Sequence, residues 1–201
     1  MRGVWALFAV TAVLCGCSAP PPAGEPPATS VPASPVPATS TRAEPRSITV
    51  VAAGDVLIHP SLTEQARADG GGRPDFAPLL AGVRPVISAA DLAICHLEVP
   101  LAAPGGVLSG YPRFSAPAEV AAGLAATGYD TCSTASNHTM DRGAAGVTST
   151  LDALDAAGVR HTGSARSARE AATPLIMEVH GVTVAQVSYT FGFNTGTAVP
   201  P

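Results

Sequence analysis

The sequence predicts an α/β layered domain with a mostly parallel sheet and flanking helices, and three features lead to that prediction. Short, continuous apolar runs, which are typical of buried strands, recur along the chain. Segments with apolar residues at helical spacing separate these runs. Acidic, amide and imidazole side chains follow directly after three of the runs.

Four strands and a hairpin are predicted, each from a short apolar run that stops at turn residues. The first run stops at Gly54-Asp55 and the second at Glu98, while His180-Gly181 separates the two arms of the hairpin. In chain order the strands cover 48–53, 92–97, 129–134 and 159–161, and the hairpin covers 175–179 and 182–189.

Four helices are predicted between these strands. Glycines 70–72 end the first helix, Pro117 suits the first turn of the third, and Gly128 closes it. The fourth helix has Val147, Leu151 and Leu154 at helical spacing and stops at Gly158. In chain order the helices cover 62–69, 76–88, 117–126 and 143–157.

Length and charge limit the classes of function. The chain has 201 residues, of which 46% are hydrophobic, and this is enough for one sizeable core. A net charge of −4 gives no basic face, so we expect no nucleic-acid partner.

The amino terminus predicts export. An apolar stretch over 4–13 follows Arg2 and is too short for the ~20 residues that span a bilayer, so residues 1–16 are predicted to be a signal peptide. Leu14-Cys15-Gly16-Cys17 resembles a bacterial lipobox, which implies a lipid on Cys17 and an extracytoplasmic lipoprotein of the cell membrane. The alternative is an ordinary signal peptide with chance cysteines.

Residues 17–46 predict a disordered tether. They consist mainly of Pro, Ala, Ser and Thr, which bury too little surface to offset the entropy of ordering. The folded domain is therefore predicted over 47–201. Within it, Cys95 and Cys132 form either a disulfide, which export permits, or two buried thiols.

The polar residues at the strand ends predict a metal site. Asp55, Glu98 and the pair Asn137-His138 converge if their strands are parallel neighbours, because ligands of open α/β sheets bind at the carboxyl edge. Carboxylate and amide oxygens suit divalent cations, with His138 nearby as an acid or electrostatic stabiliser. Taken one at a time, Asp55 is explained as part of a strand-end turn, Glu98 as a solvated loop residue and Asn137-His138 as a local cap.

These segments resemble motifs of the poly-γ-glutamate capsule-synthesis protein CapA family, within the calcineurin-like metallophosphatase superfamily. Residues 51–59, 91–98 and 135–143 resemble the family patterns GD(V/I)ML, AD-x-x-x-x-N-L-E and NNH-x-x-D-x-G in that order. Tyr111-Pro112-Arg113-Phe114 and Ser188-Tyr189-Thr190 fit the same family. The resemblance covers about 48–195.

The resemblance implies a metallophosphatase-like sandwich and a set of roles. It makes Asp55, Glu98 and Asn137 the ligands of divalent metal ions (Mn, Zn or Fe) and His138 the catalytic histidine. We expect the substrate-binding residues to be His59, His96 and Arg113. For His59, the alternative is a simple surface position. We expect His161 and His180 to be structural or exposed.

Three departures from the family pattern bear on activity. Val56 and Leu57 follow Asp55, where metallophosphatases have Asp-x-His, and His96 stands where the family usually has Asn. The chain stops at Pro201, before the family's later histidine motifs, so we expect only the N-terminal portion of the sandwich.

Two functions therefore remain open. One is a metal-dependent phosphoester hydrolase of capsule or poly-γ-glutamate synthesis. The other is a non-catalytic accessory protein that binds the polymer or synthase components and carries a degenerate metal site.

Overall fold

A four-stranded parallel sheet organises residues 46–194, the part of the chain that the computed structural model describes. The strands lie side by side in chain order and run in the same direction. After each strand the chain therefore crosses back to the edge where the strands begin. The strands are β1 (Val50–Val56), β2 (Leu92–Leu97), β3 (Thr131–Ser133) and β4 (Arg160–Thr162).

Six helices accompany the sheet, and an antiparallel hairpin follows it. The hairpin consists of β5 (Leu175–Val179) and β6 (Val182–Gln186). The helices are α1 (Pro60–Asp69), α2 (Ala77–Leu80), α3 (Arg84–Ile87), α4 (Glu119–Thr127), α5 (Gly143–Ala157) and α6 (Ala168–Ala171). This arrangement confirms the predicted α/β class with a mostly parallel sheet and flanking helices.

The hydrophobic core lies between one face of the sheet and the helices. Leu97 on β2 is buried in one cluster with Leu124 of α4 and Leu151 of α5. The opposite face of the sheet carries Thr131, whose hydroxyl donates to Gln186 Oε1 of β6 at 2.8 Å. The hairpin therefore contacts the sheet on the face away from the core.

The two cysteines settle an alternative that the sequence leaves open. Cys95 and Cys132 are partners in the register of β2 and β3, both are fully buried, and they form a disulfide. Their Cα atoms are 4.4 Å apart, at the short end of the usual range for disulfides. The bond joins two central strands on the core side of the sheet.

Three predicted elements differ from the observed ones. The helix over 76–88 is wrong: α2 and α3 are four-residue helices, and turns occupy 81–83 between them. Gly82 weakens a continuous helix there, and Pro85 lacks the amide donor that a helix interior needs. The first strand does not stop at Gly54-Asp55 but continues to Val56, and the second hairpin strand ends at Gln186 rather than at 189.

The predicted bounds of β2, α5 and β5 are confirmed, the remaining boundaries shift by one or two residues, and α6 is an element that the sequence did not predict. Its N-cap, Ser167, accepts a hydrogen bond from the Glu170 amide. An ion-pair group holds this helix to α5, because Arg166 contacts Asp152 and Asp155 as well as Glu170. These pairs are largely exposed and contribute little each.

Several predictions concern residues that the structure does not describe. The signal peptide over 1–16, the lipid on Cys17 and the tether up to residue 45 lie outside the described residues. Within residues 46–194, none of the helices combines the length and apolar character required to cross a bilayer.

Candidate functional site

The three strands that carry the predicted site residues are parallel neighbours. β1 pairs with β2 and β2 pairs with β3, all in the same direction. The carboxyl ends of these strands therefore meet at one edge of the sheet, which is the geometric condition for the predicted site.

A β-bulge aims Asp55 at its neighbours. Ala52 pairs with Ile94 and Asp55 pairs with His96, so three steps along β1 match two steps along β2. Because side chains alternate between faces, the extra residue turns Asp55 to the face that carries His96. Without the bulge Asp55 would point toward the helices.

A polar row crosses the sheet at this level. Asp55, His96 and Ser133 are consecutive register partners on β1, β2 and β3. His96 Nδ1 lies 2.7 Å from Ser133 Oγ, and its Nε2 lies 3.8 Å from Asp55 Oδ1. The Asp55 side chain is 64% exposed and that of His96 is 25% exposed, so the row opens to solvent at the Asp55 end.

Glu98 carries an unsatisfied carboxylate oxygen. Its Oε2 is buried and has no hydrogen-bond partner among the described residues. Its backbone carbonyl accepts a hydrogen bond of 2.7 Å from Ser136 Oγ, which fixes the end of β2 to the loop that carries Asn137 and His138. The residue also lines a cavity of about 10 Å³ between β2 and α5, space for one water-sized species.

His138 is a buried, oriented histidine. Its Nδ1 lies 2.7 Å from Asp141 Oδ2, and Asp141 is only 1% exposed. The same carboxylate oxygen accepts a hydrogen bond of 2.7 Å from the Phe114 amide. The His138 amide donates to Ser136 Oγ at 2.9 Å, which fixes the backbone at this turn. Nδ1 is thus committed to the protein, and Nε2 is the nitrogen left for a reacting group.

Phe114 separates the two histidines on this side of the site. Its ring meets His138 edge-on at a centroid distance of 4.7 Å and meets His59 edge-on at 5.2 Å. His59 is exposed at the N-cap of α1, whereas Phe114 is 1% exposed. The packing therefore places His59 at the rim beside the His138 cluster.

Arg113 also reaches this cluster, through the backbone. Its Nε and Nη2 donate to the Asp141 carbonyl at 3.2 and 2.8 Å. The side chain thereby holds the loop before α4 against the turn that carries His138.

Asn137 lies at the surface and contacts the end of the described chain. Its Nδ2 donates to Asn194 Oδ1 at 3.3 Å, and its carbonyl accepts from the Asn194 amide at 3.0 Å. Asn194 Nδ2 lies 2.9 Å from His138 Nδ1 and 3.4 Å from Asp141 Oδ1. Asn194 thus completes the polar cluster around His138.

The site residues form two groups rather than one ready-made centre. Asp55, His96 and Ser133 form the first group, and His138, Asp141 and Asn137 form the second, with Glu98 attached to the second loop through Ser136. Within residues 46–194, no three His, Cys, Asp or Glu side chains are grouped so that they could hold a metal ion. The oxygen donors available to a cation are the carboxylates of Asp55 and Glu98 and the amide of Asn137.

Shifted pKa values occur at the junction of α5 with α6 and at Tyr129. Hydrogen bonds from Arg166 lower the pKa of the Glu170 carboxyl, and burial raises the pKa of the Tyr129 hydroxyl. The hydrogen bonds that Arg166 donates to Glu170 and Asp152 raise the pKa of the Arg166 guanidinium in turn. The causes of these shifts are the ion pairs that join α5 to α6 and the burial of Tyr129 just before β3.

Sequence reasoning missed several members of the site. Ser133 and Asn194 carry no local signal, because their roles depend on a neighbouring strand and on a contact across 57 positions. Asp141 lies three residues after His138, and this spacing is a usable sign of a paired carboxylate. His161 and His180 contact Asp155 and Asp91 outside the site, as expected for structural residues.

The parallel sheet with flanking helices, and polar loops at its carboxyl edge, define an α/β protein whose fold is consistent with a metallophosphatase-like architecture. Residues 49–200 match the family described as bacterial capsule synthesis protein PGA_cap, and the chain belongs to that family. The predicted family resemblance is thereby confirmed.

Two curated relatives are similar over the same region. They are "Uncharacterized protein y4sH" and "Uncharacterized protein y4uA" of Sinorhizobium fredii, each 28% identical over 153 residues. The matched region is 73% of this chain and 31% of each relative. The chain therefore spans about a third of the length of these relatives.

Family membership gives a coarse functional class. The protein is related to capsule synthesis, and this indicates an extracytoplasmic or envelope role.

Proposed function

We propose that this protein is a metal-dependent phosphoester hydrolase that acts in capsule or poly-γ-glutamate synthesis at the cell envelope. The observation that carries this proposal is the buried Glu98 Oε2, which lacks a partner at the carboxyl edge of the sheet. An ionised oxygen in such a place is costly unless a cation or a hydrogen-bond donor satisfies it.

The donor chemistry at this edge fits a divalent cation. Asp55, Glu98 and Asn137 would hold it through oxygen atoms, a set that suits Mn, Zn or Fe. A bound cation of this kind supplies charge neutralisation for a phosphoryl group and activation of water.

His138 would handle the proton. Asp141 holds Nδ1, so Nε2 faces the substrate and, when it carries a proton, gives that proton to the leaving oxygen; a water oxygen bonds to phosphorus as the phosphorus–oxygen bond to the leaving group breaks. Burial beside Phe114 restricts the motion of the ring and keeps bulk water away from one of its faces. His138 is thus the catalytic residue of the proposal, and Asp141 is its positioning residue.

Two exposed groups beside the cluster would bind the anionic substrate. His59 lies at the rim formed by Phe114, and the Arg113 guanidinium is exposed while two of its donors hold the Asp141 carbonyl. A phosphoester that approaches His138 from this side meets both groups. Their positions support the substrate-binding roles that the sequence predicts for them.

Metal content and phosphatase activity test this function together. Purified wild-type chain is expected to contain stoichiometric Mn, Zn or Fe and to hydrolyse p-nitrophenyl phosphate. Asp55→Ala is expected to lower both, because a carboxylate donor is lost at the exposed end of the site. Asp69→Ala, which removes an exposed carboxylate on α1, serves as the matched control. Wild-type protein without metal, and with activity equal to that of Asp55→Ala, would contradict the proposal.

A non-catalytic accessory role is the second candidate. It is favoured by the absence of a three-residue cluster of His, Cys, Asp or Glu among the described residues. In that case the protein binds capsule polymer or synthase components through the same edge. Binding of poly-γ-glutamate with no phosphatase activity, in wild type and Asp55→Ala alike, would favour this second role.

Membrane attachment through Cys17 belongs to the same proposal, since an envelope role requires a location. Replacing Cys17 with serine is expected to move the protein from the membrane fraction to the soluble fraction, because the lipid-accepting thiol is lost. Cys15→Ser is the matched control, since residue 15 leaves with the signal peptide and its variant should stay with the membrane. Unchanged fractionation of Cys17→Ser would refute the anchor.

A further inference from the structure

We propose that His96 is an additional metal ligand that acts through Nε2 and that Ser133 is the residue that orients it. The inference rests on the proposed metal-dependent function and adds a nitrogen donor to the carboxylates of that site. It assigns His96 to the cation rather than to the substrate, the role that the sequence suggested.

The first observation is the state of the imidazole. Ser133 Oγ lies 2.7 Å from His96 Nδ1 and 3.4 Å from the Cys95 carbonyl. A carbonyl only accepts, so the hydroxyl proton points to Cys95 and the hydroxyl oxygen accepts from Nδ1–H. Nδ1 is therefore used within the sheet, and Nε2 is the ring nitrogen turned toward Asp55.

The second observation is what Nε2 faces. Nε2 lies 3.8 Å from Asp55 Oδ1, which is too long for a hydrogen bond. Two ligands with bonds of about 2.1 Å to one ion can be at most about 4.2 Å apart, so the observed separation fits a shared cation.

The third observation is that the backbone fixes this arrangement. Asp55, His96 and Ser133 are register partners on three parallel strands, and the bulge in β1 is what turns Asp55 to this face. Metal-binding histidines commonly give their other ring nitrogen to a hydrogen-bond acceptor that sets the tautomer and the ring direction. Ser133 has that place here.

Zn²⁺ is the probe, with the purified full-length chain and two readouts other than activity. In imidazole ¹⁵N spectra, Zn²⁺ is expected to shift the His96 Nε2 resonance while Nδ1 stays protonated. In calorimetric titrations, Ser133→Ala is expected to weaken Zn²⁺ binding about 10–100-fold, as is usual when the partner of a metal-bound histidine is removed. His96→Ala is expected to weaken it at least as much.

Matched controls separate a specific effect from a general one. Ser149→Ala removes a hydroxyl on α5 that donates a hydrogen bond to the Leu101 carbonyl. His161→Ala removes a histidine that contacts Asp155. Both variants should bind Zn²⁺ as wild type does. The wild-type spectrum keeps the test valid if a variant fails to fold, because it needs no substitution.

Two results would overturn the inference, and they are distinguishable. If Zn²⁺ binds the wild type and Glu98→Gln abolishes binding, but the His96 resonances stay in place and His96→Ala binds normally, His96 is no ligand and the proposed function stands. If the wild type takes up no Zn²⁺, Mn²⁺ or Fe²⁺, the metal-dependent function and this inference both fail.

Discussion

Replacing His138 with alanine is expected to lower kcat for phosphoester hydrolysis about 10²–10⁴-fold, the usual contribution of a positioned acid or base. The imidazole is buried, is held by Asp141 at 2.7 Å and has Nε2 available to the substrate. Alanine removes the proton donor, and it leaves Asp55 and Glu98 in place. Steady-state hydrolysis of p-nitrophenyl phosphate with added Mn²⁺ measures the effect.

Asp141→Asn provides a graded companion to this variant. Asparagine has almost the same shape and can still accept a hydrogen bond from the Phe114 amide, but it removes the carboxylate charge beside His138 Nδ1. We expect kcat to fall less than in His138→Ala, with KM nearly unchanged, because the substrate contacts remain. The pH profile of kcat should also change, which would not follow from a purely structural role.

The control for both variants is His161→Ala, whose ring contacts Asp155 far from this loop. Wild-type kcat in this control, together with metal content unchanged in all three variants, would assign the loss to proton transfer. Equal kcat for wild type and His138→Ala would remove His138 from the mechanism.

Reduction of the Cys95–Cys132 disulfide is expected to lower the free energy of unfolding by about 4 kcal/mol. The bond closes a loop of 37 residues, and the chain-entropy relation gives this magnitude for a loop of that length. Both cysteines are fully buried on adjacent central strands, so the loss of the bond affects the core of the sheet rather than an exposed loop. Urea unfolding with and without a phosphine reductant measures the difference.

The double variant Cys95→Ala/Cys132→Ala separates the bond from other effects of the reductant. It should unfold at lower urea than oxidised wild type, and the reductant should not change its midpoint. If the wild-type midpoint were also insensitive to the reductant, and alkylation under denaturing conditions labelled both residues, the two cysteines would be free thiols.

The sequence alone was sufficient to locate the strands along the chain and the three longer helices α1, α4 and α5. Apolar runs such as 92–97 are long and have clear ends, so they are identified from the local sequence. Gly128 and Gly158 end α4 and α5 in the left-handed conformation that favours glycine. It failed over 76–88, where Gly82 and Pro85 outweigh an apolar pattern that suits a helix.

The family and the main candidate site residues could also be predicted from the sequence. Asp55, Glu98 and His138 stand next to predictable strand ends, and the order of the three motifs specifies the family that the match over 49–200 confirms. The disulfide was not within reach, because pairing of Cys95 with Cys132 depends on the register between β2 and β3.

The sequence by itself therefore determined the α/β class, the capsule-synthesis family and the candidate site residues that follow the ends of the strands. Only the tertiary structure decided the face to which each residue points and the group that it meets. The bulge that turns Asp55 toward His96 and the contact of His96 with Ser133 arise between strands. The physical reason is that turn and strand signals are local, whereas register and cross-strand contacts are properties of the packed sheet.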